Sequence, residues 1–166
     1  MKTLIIFISI HHGNTEKIAK AMSEVLDAGL MKPSQVDLVS LPTYNLIGFG
    51  SGIYFGEHHK SLLSLADKLP VLKGKKAFIF STSGVSNKLN FLHNIRHRTV
   101  HFHNPLKEKL LRKGFDIIGE FSCRGFDIVG PFKLIGGISK GRPNEKDLKR
   151  AENFIKELKN KRQSLI

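Results

Sequence analysis

Apolar residues along this chain fall alternately into strand-like runs and helix-like stripes. Residues 3–10, TLIIFISI, are apolar almost without interruption, the pattern of a strand covered on both faces as in a parallel sheet. Ile18, Ala19, Met22, Val25, Leu26 and Leu30 then recur at helical spacing, with Gly29 weakening the segment near its end and Pro33 closing it. QVDLVS at 35–40 reads as a second strand, and YNLIGFG at 44–50 as a third that runs into a glycine-rich loop, GSGIYFGEHH. Leu62, Leu63, Leu65, Ala66 and Leu69 mark a second helix, stopped by Pro70, and KAFIFST at 76–82 a fourth strand. A long irregular stretch, 83–104, follows. Residues 105–113 read as a helix ended by Gly114, FDIIGEFSC at 115–123 as a fifth strand, and 124–142 as a glycine-rich loop. In the last helix Asn144 and Asp147 have capping-box spacing, and Leu148, Ala151, Ile155 and Leu158 form the apolar stripe. Residues 161–166 read as a frayed tail.

Strands and helices therefore alternate along the whole chain. This predicts an α/β fold: a doubly wound, three-layer sandwich with a five-stranded parallel sheet and right-handed crossovers. No repeat, low-complexity segment or linker divides it, so 1–166 is read as a single domain. Ligands of such sheets sit beyond the carboxyl ends of the strands. Here those ends are SIHHGNT at 9–15, GSGIYFGEHH at 50–59, STSG at 81–84 and CRGFD at 123–127.

The first of these precedes a helix, whose N-terminus offers unpaired N–H groups and a positive dipole end. Gly13 allows close backbone approach, and Ser9 and Thr15 add hydroxyls, so the loop suits a phosphate. It is neither a Walker loop nor a Gly-x-Gly-x-x-Gly turn, and it holds no lysine for a second or third phosphate, so one phosphate is the expected cargo. Simple capping of the helix by Asn14 or Thr15 is the plainer alternative.

Composition adds a sign. The net charge is +13 and the pI near 10.0, a positive field that attracts acidic proteins, nucleotides or nucleic acid, although many of the lysines fall on predicted exposed helix faces. Cys123 is the single cysteine, which leaves no internal disulfide and no cysteine-rich zinc site. No apolar run approaches the ~20 residues of a membrane span. The start, MKTLIIFISI, lacks a small-residue cleavage site, so it is read as an internal strand and the protein as cytoplasmic.

The order strand, xxxxGNTxxxA, helix, here Ile10 to Thr15 with Ala19 in the helix, resembles the phosphate loop of the flavodoxin family. The family usually has hydroxyl residues where this chain has Ile10 and His12; both departures leave the backbone N–H groups, Thr15 and an imidazole N–H as donors. The resemblance implies strand order 2-1-3-4-5 and FMN as cofactor. It implies that Ser9, His11, His12, Gly13, Asn14 and Thr15 hold the phosphate. The second loop, Ser51, Gly52, Ile53, Tyr54, Phe55 and Gly56, would meet the ring, with Tyr54 or Phe55 stacking on it and the peptide at Gly56 turning to bond the flavin nitrogen. Ser81, Thr82, Ser83 and Gly84 would line its far edge. Cys123 either lines the pocket or is a small core residue. The implied function is electron transfer between a reductase and an acceptor enzyme. No residue is assigned as acid, base or nucleophile, and the protein is read as a redox carrier rather than a self-sufficient enzyme. Flavodoxins are usually acidic, so the basic character here points to acidic redox partners.

Two alternatives stand beside this: an FMN-dependent NAD(P)H:quinone reductase or flavin-dependent oxidase, and a flavin-free basic module that docks nucleic acid or acidic proteins. Of the eight histidines, His93, His97 and His101 are spaced by four, which would align them for a metal on a helix. No acidic or cysteine ligand lies between Val85 and Pro105, and no metal is expected.

Overall fold

The computed structural model describes residues 2–84, 101–128, 134 and 136–163, excluding the side chains of 101 and 161–163. Its strands are β1 (Thr3–Ile8), β2 (Gly29–Met31), β3 (Leu46–Tyr54), β4 (Glu57–His58), β5 (Lys75–Ser83) and β6 (Phe115–Arg124). Its α-helices are α1 (Asn14–Leu26), α2 (Lys60–Lys68), α3 (Asn104–Arg112) and α4 (Glu145–Gln163). The sheet runs β2-β1-β3-β5-β6, all parallel, and the two-residue β4 folds back antiparallel on the end of β3. Without β4 this is the doubly wound order 2-1-3-4-5.

The uninterrupted apolar run of β1 is explained by burial on both faces. Leu4 and Ile6 join Ile47, Phe49, Ala77 and Ile79 under α2 and α3, while Ile5 and Phe7 join Phe78, Phe80 and Phe121 under α1 and α4. In β3 the residues facing α1 and α4 include Gly48 and Gly50, and a Cβ there would lie 2.3 and 2.1 Å from the Cζ atoms of Phe78 and Phe80. Those glycines are the space into which the two rings of β5 pack.

Two element boundaries differ from the hydrophobic pattern. The second strand is Gly29–Met31, not 35–40. Helix α1 ends at Leu26 because Asp27 turns left-handed (φ 49°) and donates its N–H to Ser23, so Leu30 leaves the helical stripe and pairs in register with Ile5. Residues 36–40 instead turn on Asp37, which accepts from the Val39 N–H (3.0 Å) and the Ser40 hydroxyl (2.9 Å) and leaves Val39 exposed. Local side-chain bonds here win over alternation. The third strand runs on to Tyr54, so half of the glycine-rich segment read as loop is sheet. The capping box forms: the Asp147 N–H donates to Asn144 Oδ1 (3.3 Å) and the Asn144 N–H to Asp147 Oδ2 (3.1 Å). Helix α4 carries on to Gln163, past the start of the expected tail. Residues 85–100, which hold most of the irregular histidine-rich stretch with His93 and His97, lie outside the described residues. Among the described residues no helix is long and apolar enough to cross a membrane.

Candidate functional site

Strand β1 delivers the first loop to the carboxyl edge of the sheet. His12 (φ 55°) and Gly13 (φ 66°) both turn left-handed to enter α1. Gly13 is the N-cap and has no side chain, so the helix start carries no side-chain capping bond. Simple capping by Asn14 or Thr15 is thereby ruled out, since both already lie inside the helix. Ser9 is partly buried; Ile10, His11 and His12 are exposed; Asn14 and Thr15 are buried. Thr15 Oγ1 lies 2.9 Å from Thr82 Oγ1. Two hydroxyls bring two protons and only one fits between the oxygens, so one O–H remains to donate elsewhere.

The second loop is a two-residue hairpin between β3 and β4, with Phe55 (φ 51°) and Gly56 (φ 89°) at its tip. Positive φ at both central residues is the turn that matches strand twist. Tyr54 is half-buried; its hydroxyl is hydrogen-bonded to the Ile10 backbone, and burial, with the negative charge of Asp127, raises its pKa. Its ring packs on His11 (6.0 Å between centroids) and edge-on to His59 (5.4 Å). Phe55, the other candidate aromatic, stands wholly in solvent. Behind this wall lies an open cavity of about 610 Å³, lined by Ile10, His11, Tyr54, Phe55, His58 and Leu63 among others.

The third loop continues β5. Thr82 ties it to the first loop, and Ser83 accepts from the Gly125 N–H (2.9 Å). Gly84 has no room for a Cβ, which would sit 2.4 Å from that of Asp127. Its carbonyl accepts from the Ser139 hydroxyl (2.8 Å).

A strap after β6 that the sequence suggested only loosely completes the enclosure. The Asn14 side-chain amide donates to the Phe126 carbonyl (2.7 Å), and the Phe126 ring lies 4.6 Å from that of His12. Asn14 Oδ1 is left buried without a partner among the described residues. No residue pattern announces this strap, because its contacts are to loops more than forty positions away. Cys123 is a core residue under α4; burial pushes its thiol up to about 12, which leaves it unreactive.

Two of the expected site serines turn inward. Ser51, Ser81 and Ser122 are directly cross-strand on β3, β5 and β6 and form one row on the α2–α3 face. Ser51 Oγ meets His58 Nδ1 at 2.8 Å, and Ser81 Oγ meets His103 Nε2 at 2.8 Å, so both hydroxyls are committed inside the protein. His103 Nδ1 donates to Glu120 (3.0 Å), which also takes Lys107 (2.5 Å). Alternation along each strand places these residues inward, but their meeting is set by register. The bond from His103, with that from Lys107, holds the Glu120 carboxyl down at about 2. Because the folded value is depressed, the stabilisation is present above the unfolded carboxyl pKa and lost as pH falls through the folded one. The melting temperature of the wild type is therefore expected to fall more steeply than that of Glu120→Gln between about pH 4.5 and 2, a window checked by thermal scans at each pH.

The profile of the flavodoxin domain family matches residues 4–114. An uncharacterized protein of Methanocaldococcus jannaschii is 49% identical over 158 residues, covering 95% of this chain and 98% of that protein. A flavodoxin from the domain Archaea is similar in structure with a TM-score of 0.61 at 16% identity, over 97% of this chain and 98% of that one. Oxidised Flavodoxin 2 from Bacillus cereus gives 0.64 at 20% identity, over 97% and 99%. The flavodiiron protein of Giardia intestinalis gives 0.62 at 17% identity, over 95% of this chain and only 35% of that one. At these identities the structural likeness is one of fold.

Proposed function

Since this chain belongs to the flavodoxin domain family, we propose that it binds FMN and carries electrons between a reductase and an acceptor protein. The observation that carries the reading is the convergence of three loops at one edge of the sheet. The Thr15–Thr82 bond joins the first to the third, and the Tyr54–Ile10 bond joins the second to the first. The donor set fits a phosphate monoester. An uncapped helix start, a spare hydroxyl proton in the Thr15–Thr82 pair and a glycine at the turn favour an anion. The loop itself contributes no lysine or arginine.

Residues Ser9 to Thr15 hold the phosphate through backbone N–H groups and Thr15. Tyr54 supplies the packed aromatic wall, with Gly52 to Gly56 as its frame, and residues 82–84 line the far edge. Bound there, FMN supplies one- and two-electron redox chemistry, and the protein tunes it by stacking, hydrogen bonding and local charge. With +13 overall, the surface favours an acidic partner. The cavity beside Tyr54 and Phe55 favours a second reading, an FMN-dependent quinone reductase with room for a small aromatic acceptor.

The purified protein, with and without added FMN, is expected to show the flavin bands in its visible spectrum and to release FMN on denaturation. A colourless protein that gains no bands with FMN would sink both flavin readings. NAD(P)H oxidation without a separate reductase would favour the enzyme. Salt-sensitive retention of oligonucleotides by a colourless protein would favour a flavin-free basic module.

A further inference from the structure

Against the serine row beneath the site lies a ring nitrogen, His58 Nε2, that has no hydrogen-bond partner among the described residues. Ser51 has a single hydroxyl proton, which it donates to the Gly52 carbonyl (2.7 Å), and its oxygen accepts from the His59 N–H (3.0 Å). With that proton on Gly52, the 2.8 Å contact with His58 Nδ1 is assigned to the imidazole as donor. The ring's one proton sits on Nδ1, and Nε2 carries a bare lone pair. That nitrogen is buried, in a residue 2% exposed, with no partner among the described residues. Burial, and then the charge of His103, lowers the His58 pKa to about 3, so the ring is neutral at rest.

Its position gives this base a use. His58 follows the Phe55–Gly56 tip by two residues and lines the same cavity as Tyr54 and Phe55. Around it stand His103 from the turn before α3 (5.1 Å between centroids), Glu120 from β6 and Lys107 from α3, with Glu57, His59 and Lys60 flanking it along the chain. The Glu120 carboxylate favours a cation on His58, and His103 opposes it. A negative charge arriving beyond the hairpin tips that balance toward the protonated ring.

We propose that His58 Nε2 is the proton acceptor that balances the charge placed on the adjacent site when it is reduced, an inference that rests on the FMN reading. Two electrons from a low-potential donor enter the cofactor. One proton joins the flavin ring, which leaves one net negative charge. A second proton from solvent, entering by the cavity, forms an N–H bond at Nε2 and makes the imidazole a cation. On reoxidation both protons and both electrons leave. His58 thus compensates charge without touching the reacting atoms.

The test is the pH dependence of the midpoint potential of the FMN-loaded protein, in the wild type and in His58→Asn, whose amide still donates to Ser51 Oγ. Each proton taken up by a two-electron couple moves its potential by about 30 mV per pH unit. Scanned upward from about pH 4, the wild type is expected to fall by about 60 mV per unit in the window that opens above the resting value of about 3 and closes at the higher value the reduced site imposes, and the variant by about 30 throughout. Nitrogen NMR of histidine-labelled wild type provides a second readout that needs no variant: Nε2 of His58 gains a proton on reduction. Equal slopes in the two proteins, or an Nε2 that stays bare after reduction, would overturn the proposal. A protein that takes up no FMN is recognised beforehand in the visible titration and overturns the cofactor reading itself.

Discussion

Thr15→Val is expected to weaken FMN binding by about ten- to a hundredfold, the loss of one hydrogen bond to a charged group at roughly 1.5–3 kcal/mol. The substitution keeps the shape of a side chain only 2% exposed and removes only its hydroxyl. Two consequences follow from the 2.9 Å pair with Thr82. The hydroxyl donor beside the helix start disappears, and Thr82 loses a buried partner. His11→Ala, by contrast, removes an exposed ring whose contacts are the His12 and Tyr54 rings, and is expected to cost about threefold or less. Flavin-fluorescence titration of the apo proteins reads the affinities, and melting of the apo variants separates affinity from stability. Equal or reversed losses in the two variants would count against Thr15 as a phosphate donor.

The second large effect concerns stability. Gly50→Ala is expected to destabilise the fold by about 3 kcal/mol, at the upper end of overpacking costs. The added Cβ would lie 2.1 Å from Phe80 Cζ. Phe80 is fully buried, and Phe78 and Phe121 share its side of the core, so the ring has no free volume into which to retreat. For a chain of this size the melting temperature is expected to drop by roughly 6–12 °C. Gly29→Ala is the control: it has no positive φ, and its nearest neighbour would be Leu4 Cδ1 at 3.7 Å. It is expected to stay within about 0.5 kcal/mol of the wild type. Denaturant unfolding of both variants gives the comparison; a Gly50→Ala midpoint close to that of Gly29→Ala would show that the Phe80 ring yields easily.

Both effects begin in features that are plain in the chain and acquire their size from contacts that are not. Gly-Asn-Thr after an apolar strand marks a helix start suited to an anion, but nothing in the text of residues 9–15 says that Thr15 will meet Thr82, 67 positions away. Gly48 and Gly50 fall inside a run that reads as strand even though glycine is a poor strand former. They are strand interior because Phe78 and Phe80 on the neighbouring strand need their space. The second strand lies away from the segment that alternates. Residues 35–40 alternate well, but Asp37 bonds its own neighbours, and a left-handed Asp27 releases Gly29–Met31 to the sheet instead.

The amino-acid sequence by itself determined the layered α/β class and the first two loops that gather at the carboxyl edge of the sheet, the edge at which such folds bind ligands. Those depend on periodicity and on chemistry within a few residues, which are local properties. Only the tertiary structure decided which hydroxyls remain available and which are spent. Ser51 and Ser81 read as ligand donors in the chain, yet strand pairing sets them in line with Ser122, beneath His58 and His103. A hydrogen bond commits a side chain only when its partner is within about 3 Å. For partners tens of residues apart, that distance is set by sheet register and by the packing of α3, and so it is absent from any short stretch of sequence.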